Sequence, residues 1–426
     1  MTKKWTAFKA PLIPFALITS LFFMWGLANN MTDTLLAAFK KIMSLSDFQT
    51  SWIQMAFYGS YFCLALPAAI FIKRFTYKAG VLLGLGMFIS GALLFYPSSL
   101  TMNYFHFLAA LYILAGGLSV LETTANPYII ALGPEDTATQ RLNFAQSFNP
   151  IGSITGVLLS KYFILSNLNT ASAGERALMT PEQLQAVQAQ ELNAVMGPYV
   201  GVALLLVVLW ITIAARDMPA VSQKKVKIDL MPTLKRLWKQ KQYVWGVVAQ
   251  FFYVGAQIGV WSFTIRYVMQ ELAINEAEAS TYYLIALGLF TVFRFVNTAL
   301  MKFIAPGKLL SSSAILGALA ALVVIFGGGM VGVIALVSIS AFMSLMFPTI
   351  YGLAVQGLDY DDTKIAGSGL IMAILGGAVL TAIQGVVSDT TGSIHLAYFV
   401  PFACFILISF YGRFGFGETP LKSEET

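Results

Sequence analysis

Long apolar runs, broken by short polar punctuation, recur along the whole chain. A helix needs about 20 apolar residues to cross the hydrocarbon core of a bilayer, and twelve runs meet that length within the polar breaks. The predicted spans, numbered 1 to 12 in order, are Leu12–Leu36, Thr50–Ile72, Ala79–Tyr96, Tyr104–Leu132, Phe144–Leu165, Met196–Ala214, Tyr243–Gln270, Thr281–Ile304, Leu309–Phe326, Val331–Val355, Ile365–Ser388 and Ile394–Tyr411. The runs are continuous and lack the ten-residue alternation of a membrane β-barrel, so the expectation is an all-α membrane protein. The polar stretch Arg216–Gln242, with many Lys and with Pro219 and Pro232, divides the spans six and six and reads as a linker. The predicted domains are an N-terminal six-helix bundle over 1–215, a linker over 216–242 and a C-terminal six-helix bundle over 243–426. Between spans 5 and 6, TPEQLQAVQAQEL opens with Thr180 and Pro181, an N-cap followed by proline, and predicts a short surface helix.

Composition supports a lipid-facing exterior. Of 426 residues, 58% are hydrophobic and 11% charged, with mean hydropathy +0.74, where a soluble chain carries about 25% charged residues. The net charge of +6 is read as positive-inside loops and not as nucleic-acid binding. With the N-terminus placed inside, most of the 26 Lys and Arg fall on the cytoplasmic side, so both termini are expected in the cytoplasm of a bacterial inner-membrane protein. Lys3, Lys4 and Lys9 ahead of Leu12–Trp25 imitate a signal peptide, but the apolar run continues past Asn29 and is read as a retained first span. Cys63 and Cys404 lie in apolar runs and read as small core residues, with no disulfide framework, zinc site or other metal implied.

Three ionisable residues lie well inside spans: Asp33 in span 1, Glu122 in span 4 and Arg294 in span 8. A charge at that depth is costly unless it is paired, protonated or wetted, so each is a candidate functional residue. Asn29 and Asn30 share a helix face with Asp33, and Asn126 and Ser119 share one with Glu122, by i,i+3 and i,i+4 spacing. Arg294 is read either as an internal partner of a carboxylate or of backbone carbonyls, or as a contact to substrate oxygens. Gln146, Asn149 and Ser153 form a polar stripe in span 5, and Gln250, Tyr253, Gln257 and Trp261 form one in span 7. Amides beside aromatic rings suit a sugar, whose hydroxyls pair with amides while its apolar face rests on a ring. The competing reading of these stripes is hydrogen bonding between spans. No Walker A, HExxH or CxxC sequence is present, so the expectation is a non-enzyme with no cofactor, driven by an ion gradient.

The blocks IPFALITSLFFMWGLANNMTDTLL, LSDFQTSWIQMAFYGSYF, ETTANPYIIALGPEDTATQRLNFAQSFNPIG, AQFFYVGAQIGVWSFTIRY and AFMSLMFPTIYGLAV together resemble the fucose–galactose–glucose proton symporter family of the major facilitator superfamily. The resemblance runs from Ile13 to about Phe414. It implies a twelve-helix fold of two six-helix halves, a substrate cavity between them, and one sugar carried with a cation by alternating access. It also implies that Asp33 and Glu122 carry proton coupling and sugar recognition, with Asn29 or Asn30, Gln146, Asn149 and Gln257 near the sugar. Asn297, in RFVNT, lies at a cavity-wall position where this chain departs from the family's fucose carriers. The expected cargo is a hexose or deoxyhexose such as L-fucose with a proton, in a monomer embedded in lipid. The alternatives are a sodium-coupled carrier of glucose, galactose, mannose or N-acetylglucosamine, a drug–proton antiporter of the same fold, and a non-transporting sugar sensor.

Overall fold

The computed structural model describes residues 10–42, 47–101, 103–164, 175–176, 178–219 and 230–414, and these are helical almost throughout. Eleven helices among the described residues are long and apolar enough to cross a membrane. The twelfth expected span, span 5, is present but interrupted: Ala138–Gln146 and Phe148–Leu159 are separate helices, and Ser160–Ile164 continues as a π-helical turn.

The interruption follows from proline chemistry. A proline has no N–H, and its ring collides with the carbonyl four residues earlier, so a helix breaks on its N-terminal side. In span 5 the break is at Ser147, three residues before Pro150. Span 10 breaks at Ser344–Leu345, ahead of Pro348, and span 12 at Tyr398, three residues before Pro401. The prolines of spans 2, 3, 4 and 6 lie within continuous helices.

Two sequence expectations change. The surface helix expected after Thr180 does not end before span 6. Thr180 caps it, with a reciprocal bond to Gln183, and one helix then runs from Pro181 to Ala215. The linker contains a helix, Leu230–Lys239, that its polarity and Pro232 concealed. Cys404 is buried as read, whereas Cys63 is exposed on its span, and both are free.

The chain forms two compact units. The first comprises 1–132 and 145–226, and the second comprises 133–144 and 227–426. Within the first, span 1 packs on span 5, span 2 on span 4, span 3 on span 4 and span 3 on span 6. Within the second, span 7 packs on span 11, span 8 on span 10, span 9 on span 10 and span 9 on span 12. Adding six to each span number converts one set into the other, so the two units repeat one topology.

The repeat extends to a backbone contact. A Cβ at Gly152 of span 5 would stand 1.9 Å from the Phe23 carbonyl oxygen of span 1, and one at Gly376 of span 11 would stand 2.0 Å from that of Phe251 in span 7. Small residues allow membrane helices to approach this closely. Gly152→Ala is expected to destabilise the first unit by at least about 1–3 kcal/mol, the usual cost of overpacking. Gly197, with nothing within 4 Å of its would-be Cβ, is the control position. Thermal unfolding in detergent should show a lower midpoint for Gly152→Ala and none for Gly197→Ala. Equal midpoints would contradict the packing.

The segment 133–144 packs within the second unit. Gln140 donates to the Thr298 carbonyl at 2.9 Å, Asn143 to Thr349 Oγ1 at 3.1 Å, and the Gly357 N–H to Glu135 Oε1 at 3.0 Å. Arg141 is fully buried and donates to the Pro134 carbonyl and to Thr137 Oγ1. Burial, partly offset by the charge of Asp136, brings its guanidinium pKa down to about 10, so it remains charged at neutral pH.

Candidate functional site

In the first unit the polar groups collect around Glu122. Span 4 is buried along its whole second half, and Glu122 is 1% exposed. Its Oε1 accepts a long hydrogen bond from the Tyr61 hydroxyl of span 2, at 3.4 Å. Its Oε2 has no hydrogen-bond partner among the described residues. Asn126, one turn on, donates to the Glu122 carbonyl at 3.0 Å and accepts from Gln146 Nε2 at 2.7 Å. Hydrogen bonds therefore link span 2 to span 4 and span 4 to the start of span 5, passing through the backbone of Glu122.

Tyr61 is held firmly. Ser119 Oγ donates to its carbonyl at 3.1 Å, and the neighbouring Ser60 Oγ donates to the Tyr112 carbonyl at 2.8 Å, so two bonds staple span 2 to span 4. The Phe57 ring lies 5.3 Å from the Tyr61 ring. The Trp25 indole of span 1 sits beside the Tyr61 hydroxyl. Sequence reasoning missed Tyr61. In the run GSYF it looks like any aromatic of an apolar span, and only the packing of span 2 on span 4 gives it a role.

The remaining first-unit candidates divide. Asn29 is half-buried, its Oδ1 without a hydrogen-bond partner among the described residues, and Asn30 bonds back to the Gly26 carbonyl of its own helix. Asn149 donates to the Phe22 carbonyl of span 1 at 3.3 Å. The expected single stripe Gln146–Asn149–Ser153 is thus split by the break at Ser147: Gln146 turns to span 4 and Asn149 to span 1. Span 1 is helical through Asp33, whose side chain lies outside the described residues.

In the second unit, the break in span 10 organises the polar groups. Pro348 denies the Ser344 carbonyl its helical donor, and that carbonyl accepts instead from Arg294 Nε of span 8, at 2.5 Å. Asn297, one turn on from Arg294, donates to Ser344 Oγ at 3.0 Å. Arg294 is 3% exposed and lies over the Phe290 ring, 4.5 Å from its centroid, a cation–π contact. Of the alternatives open for Arg294, backbone carbonyl binding is therefore present, without bearing on contact to a substrate.

The span 7 stripe lies against span 10. Tyr253 donates to the Met343 carbonyl at 3.3 Å, and Trp261 Nε1 to Ser340 Oγ at 3.2 Å. These two serve helix–helix bonding. Gln250 is fully buried with neither amide atom partnered among the described residues, and Gln257 is half-buried. Gln384 and Thr381 of span 11 also hold buried polar atoms without partners among the described residues, a feature the sequence did not single out.

A model of the Major Facilitator Superfamily matches residues 17–363. The chain belongs to the major facilitator superfamily. The L-fucose-proton symporter of Haemophilus influenzae is 41% identical over 412 residues, covering 94% of this chain and 96% of that one. The L-fucose-proton symporter of Escherichia coli K12 is 40% identical, covering 95% and 93%. A glucose/galactose transporter of Brucella abortus is 34% identical, covering 93% of each. The crystal structure of FucP, a transporter of the superfamily in the outward conformation, matches with TM-score 0.90 at 40% identity, covering 95% of this chain and 99% of that one. As a facilitator-superfamily member with transporters for relatives, the protein is a multi-pass membrane transporter and not an enzyme. The expected twelve-helix fold of two six-helix halves holds, with span 5 interrupted near its proline.

Gln146→Leu tests the chain of bonds around Glu122. It removes the donor to Asn126 Oδ1 and leaves that buried oxygen unmet, at about 1–3 kcal/mol. Thermal unfolding should show the loss, and a midpoint unchanged from wild type would refute the bond.

Proposed function

We propose that the protein imports a sugar together with a proton by alternating access, the sugar being a hexose or deoxyhexose with L-fucose the first candidate. The fucose-proton symporters that share about two residues in five with this chain over nearly its whole length support that reading, and the glucose/galactose relative is more distant. The observation that carries it is the half-committed carboxylate of Glu122, buried and held through one oxygen by Tyr61 while the other is open. A sugar hydroxyl can donate to that oxygen, and the nearby amides of Asn126 and Gln146 are of the kind that pairs with sugar hydroxyls. On this reading Asn29, half-buried with an open oxygen, supplies a further acceptor from span 1.

Asp33 is assigned the proton and Glu122 the sugar. Uncompensated carboxylate charge is costly to carry through a low-dielectric barrier. Protonation together with sugar binding removes that cost, which ties the two fluxes to each other. In the second unit, Gln250 and Gln257 offer amides, while Arg294 and Asn297 hold span 8 to the broken turn of span 10. The protein is placed in a bacterial inner membrane as a monomer surrounded by lipid. Both termini are placed in the cytoplasm, which the basic segments there favour.

Addition of L-fucose to de-energised cells or vesicles should make the medium alkaline as proton and sugar enter together. Uptake that ignores pH and follows sodium would transfer the reading to the sodium-coupled alternative. Asp33→Asn is expected to abolish uphill accumulation but to keep sugar exchange, and full accumulation in that variant would remove the residue from the coupling role. Glu122→Ala is expected to lower sugar affinity at least about tenfold, equivalent to about 1.4 kcal/mol. Tryptophan quenching by sugar checks this, and unchanged affinity would overturn the assignment.

A further inference from the structure

The helix Leu230–Lys239 precedes span 7 by a single residue, Gln240. One face of it is buried, through Thr233 and Leu237. Arg236 forks onto Asp362, at 2.9 and 2.6 Å, and also donates to Thr233. Asp362 lies in the first turn of the helix that begins span 11. Successive spans reverse direction, so spans 7 and 11 begin at the same membrane face. The helix is thus fastened to the start of both, along that face.

Its outer face is unusual for a polar linker. Met231, Leu234 and Trp238, at i, i+3 and i+7, form a ridge and are 63%, 36% and 79% exposed. Lys235, Lys239 and Lys241 are exposed beside the ridge and have no ion pair among the described residues. No acidic residue occurs from Leu230 to Lys241, and the one cation that is paired, Arg236, is met by Asp362.

We propose that this helix is a docking surface for anionic phospholipid. Met231, Leu234 and Trp238 enter the boundary between headgroups and acyl chains, and the three lysines bind the headgroup phosphates. Tryptophan favours that boundary, lysines near the surface are drawn to anionic lipid, and an amphipathic helix lying in the interface combines both. A second copy of the chain is a poorer occupant. Ten residues extend about 15 Å, and a single ridge of that length falls far short of the roughly 800 Å² per partner of a stable interface.

The test uses the full chain in nanodiscs of phosphatidylcholine with or without phosphatidylglycerol. The emission lost in Trp238→Phe isolates Trp238, and in wild type that share should be quenched by acyl-brominated lipid and shielded from aqueous acrylamide. Phosphatidylglycerol should raise the unfolding temperature of wild type, and more than half of that rise should vanish in the triple variant K235Q/K239Q/K241Q. These lysines are exposed, so the variant should fold, and its far-UV circular dichroism and monodispersity verify this. Trp238 that is open to acrylamide and untouched by brominated lipid overturns the proposal, as does an equal phosphatidylglycerol effect in the triple variant. A shift from dimer to monomer in M231S/L234S/W238S would assign the ridge to a second copy and also overturn it. Should that variant fail to fold, the Trp238 quenching decides alone.

Discussion

Hydrocarbon offers no hydrogen bonds, so every backbone carbonyl inside the membrane must find its donor within the protein. The polar architecture of this transporter follows from where proline breaks that rule. Pro348 removes the donor for Ser344, and Arg294 supplies the replacement from a neighbouring span. Arg294 thereby gains a site that a regular helix could not provide. Its placement over Phe290 and the bond from Asn297 to Ser344 complete an assembly whose origin is one missing N–H.

The first unit has a buried proline of its own but arranges its groups differently. Span 4 stays continuous through Pro127, and Asn126 adds its side-chain amide to the Glu122 carbonyl just before the proline. In both units the polar cluster joins corresponding partners: spans 2 and 4 carry Tyr61 and Glu122, and spans 8 and 10 carry Arg294 and Ser344. One topology, used twice, therefore presents an acid in one unit and a base in the other. The chemistry has diverged while the glycine contacts at Gly152 and Gly376 have kept the same backbone approach.

Much of this was legible in the residues. Apolar run length located the spans, and the capping sequence at Thr180 located the start of a helix. The end of that helix was not legible, because its polar first turns and its apolar remainder look like separate elements although the backbone passes through Pro198 without a break. Glu122, Asn126 and Gln146 could be found because polar side chains are rare at such depth. That they form one connected chain could not, since the spacing within a helix says nothing about the next helix. Tyr61 was hidden because an aromatic in an apolar run has no distinguishing pattern. The stripe of span 7 was correctly aligned on one face, but its neighbour, span 10, had to be seen before Tyr253 and Trp261 could be separated from Gln250 and Gln257. Prolines were visible throughout, yet three of the spans carrying them broke while the helices with Pro67, Pro97, Pro127 and Pro198 ran on.

The asymmetry of the Glu122 carboxylate bears on stereochemistry. A carboxylate with both oxygens free can grip two adjacent hydroxyls at once, and such a grip reads their relative configuration. Here Tyr61 already occupies one side of the carboxylate, so on the proposed reading the oxygen without a partner is the one best placed to meet a sugar hydroxyl. On that reading, discrimination between epimers would rest in part on the groups set around that hydroxyl. Changing which epimer is preferred would be a matter of re-aiming amides while the acid stays in place.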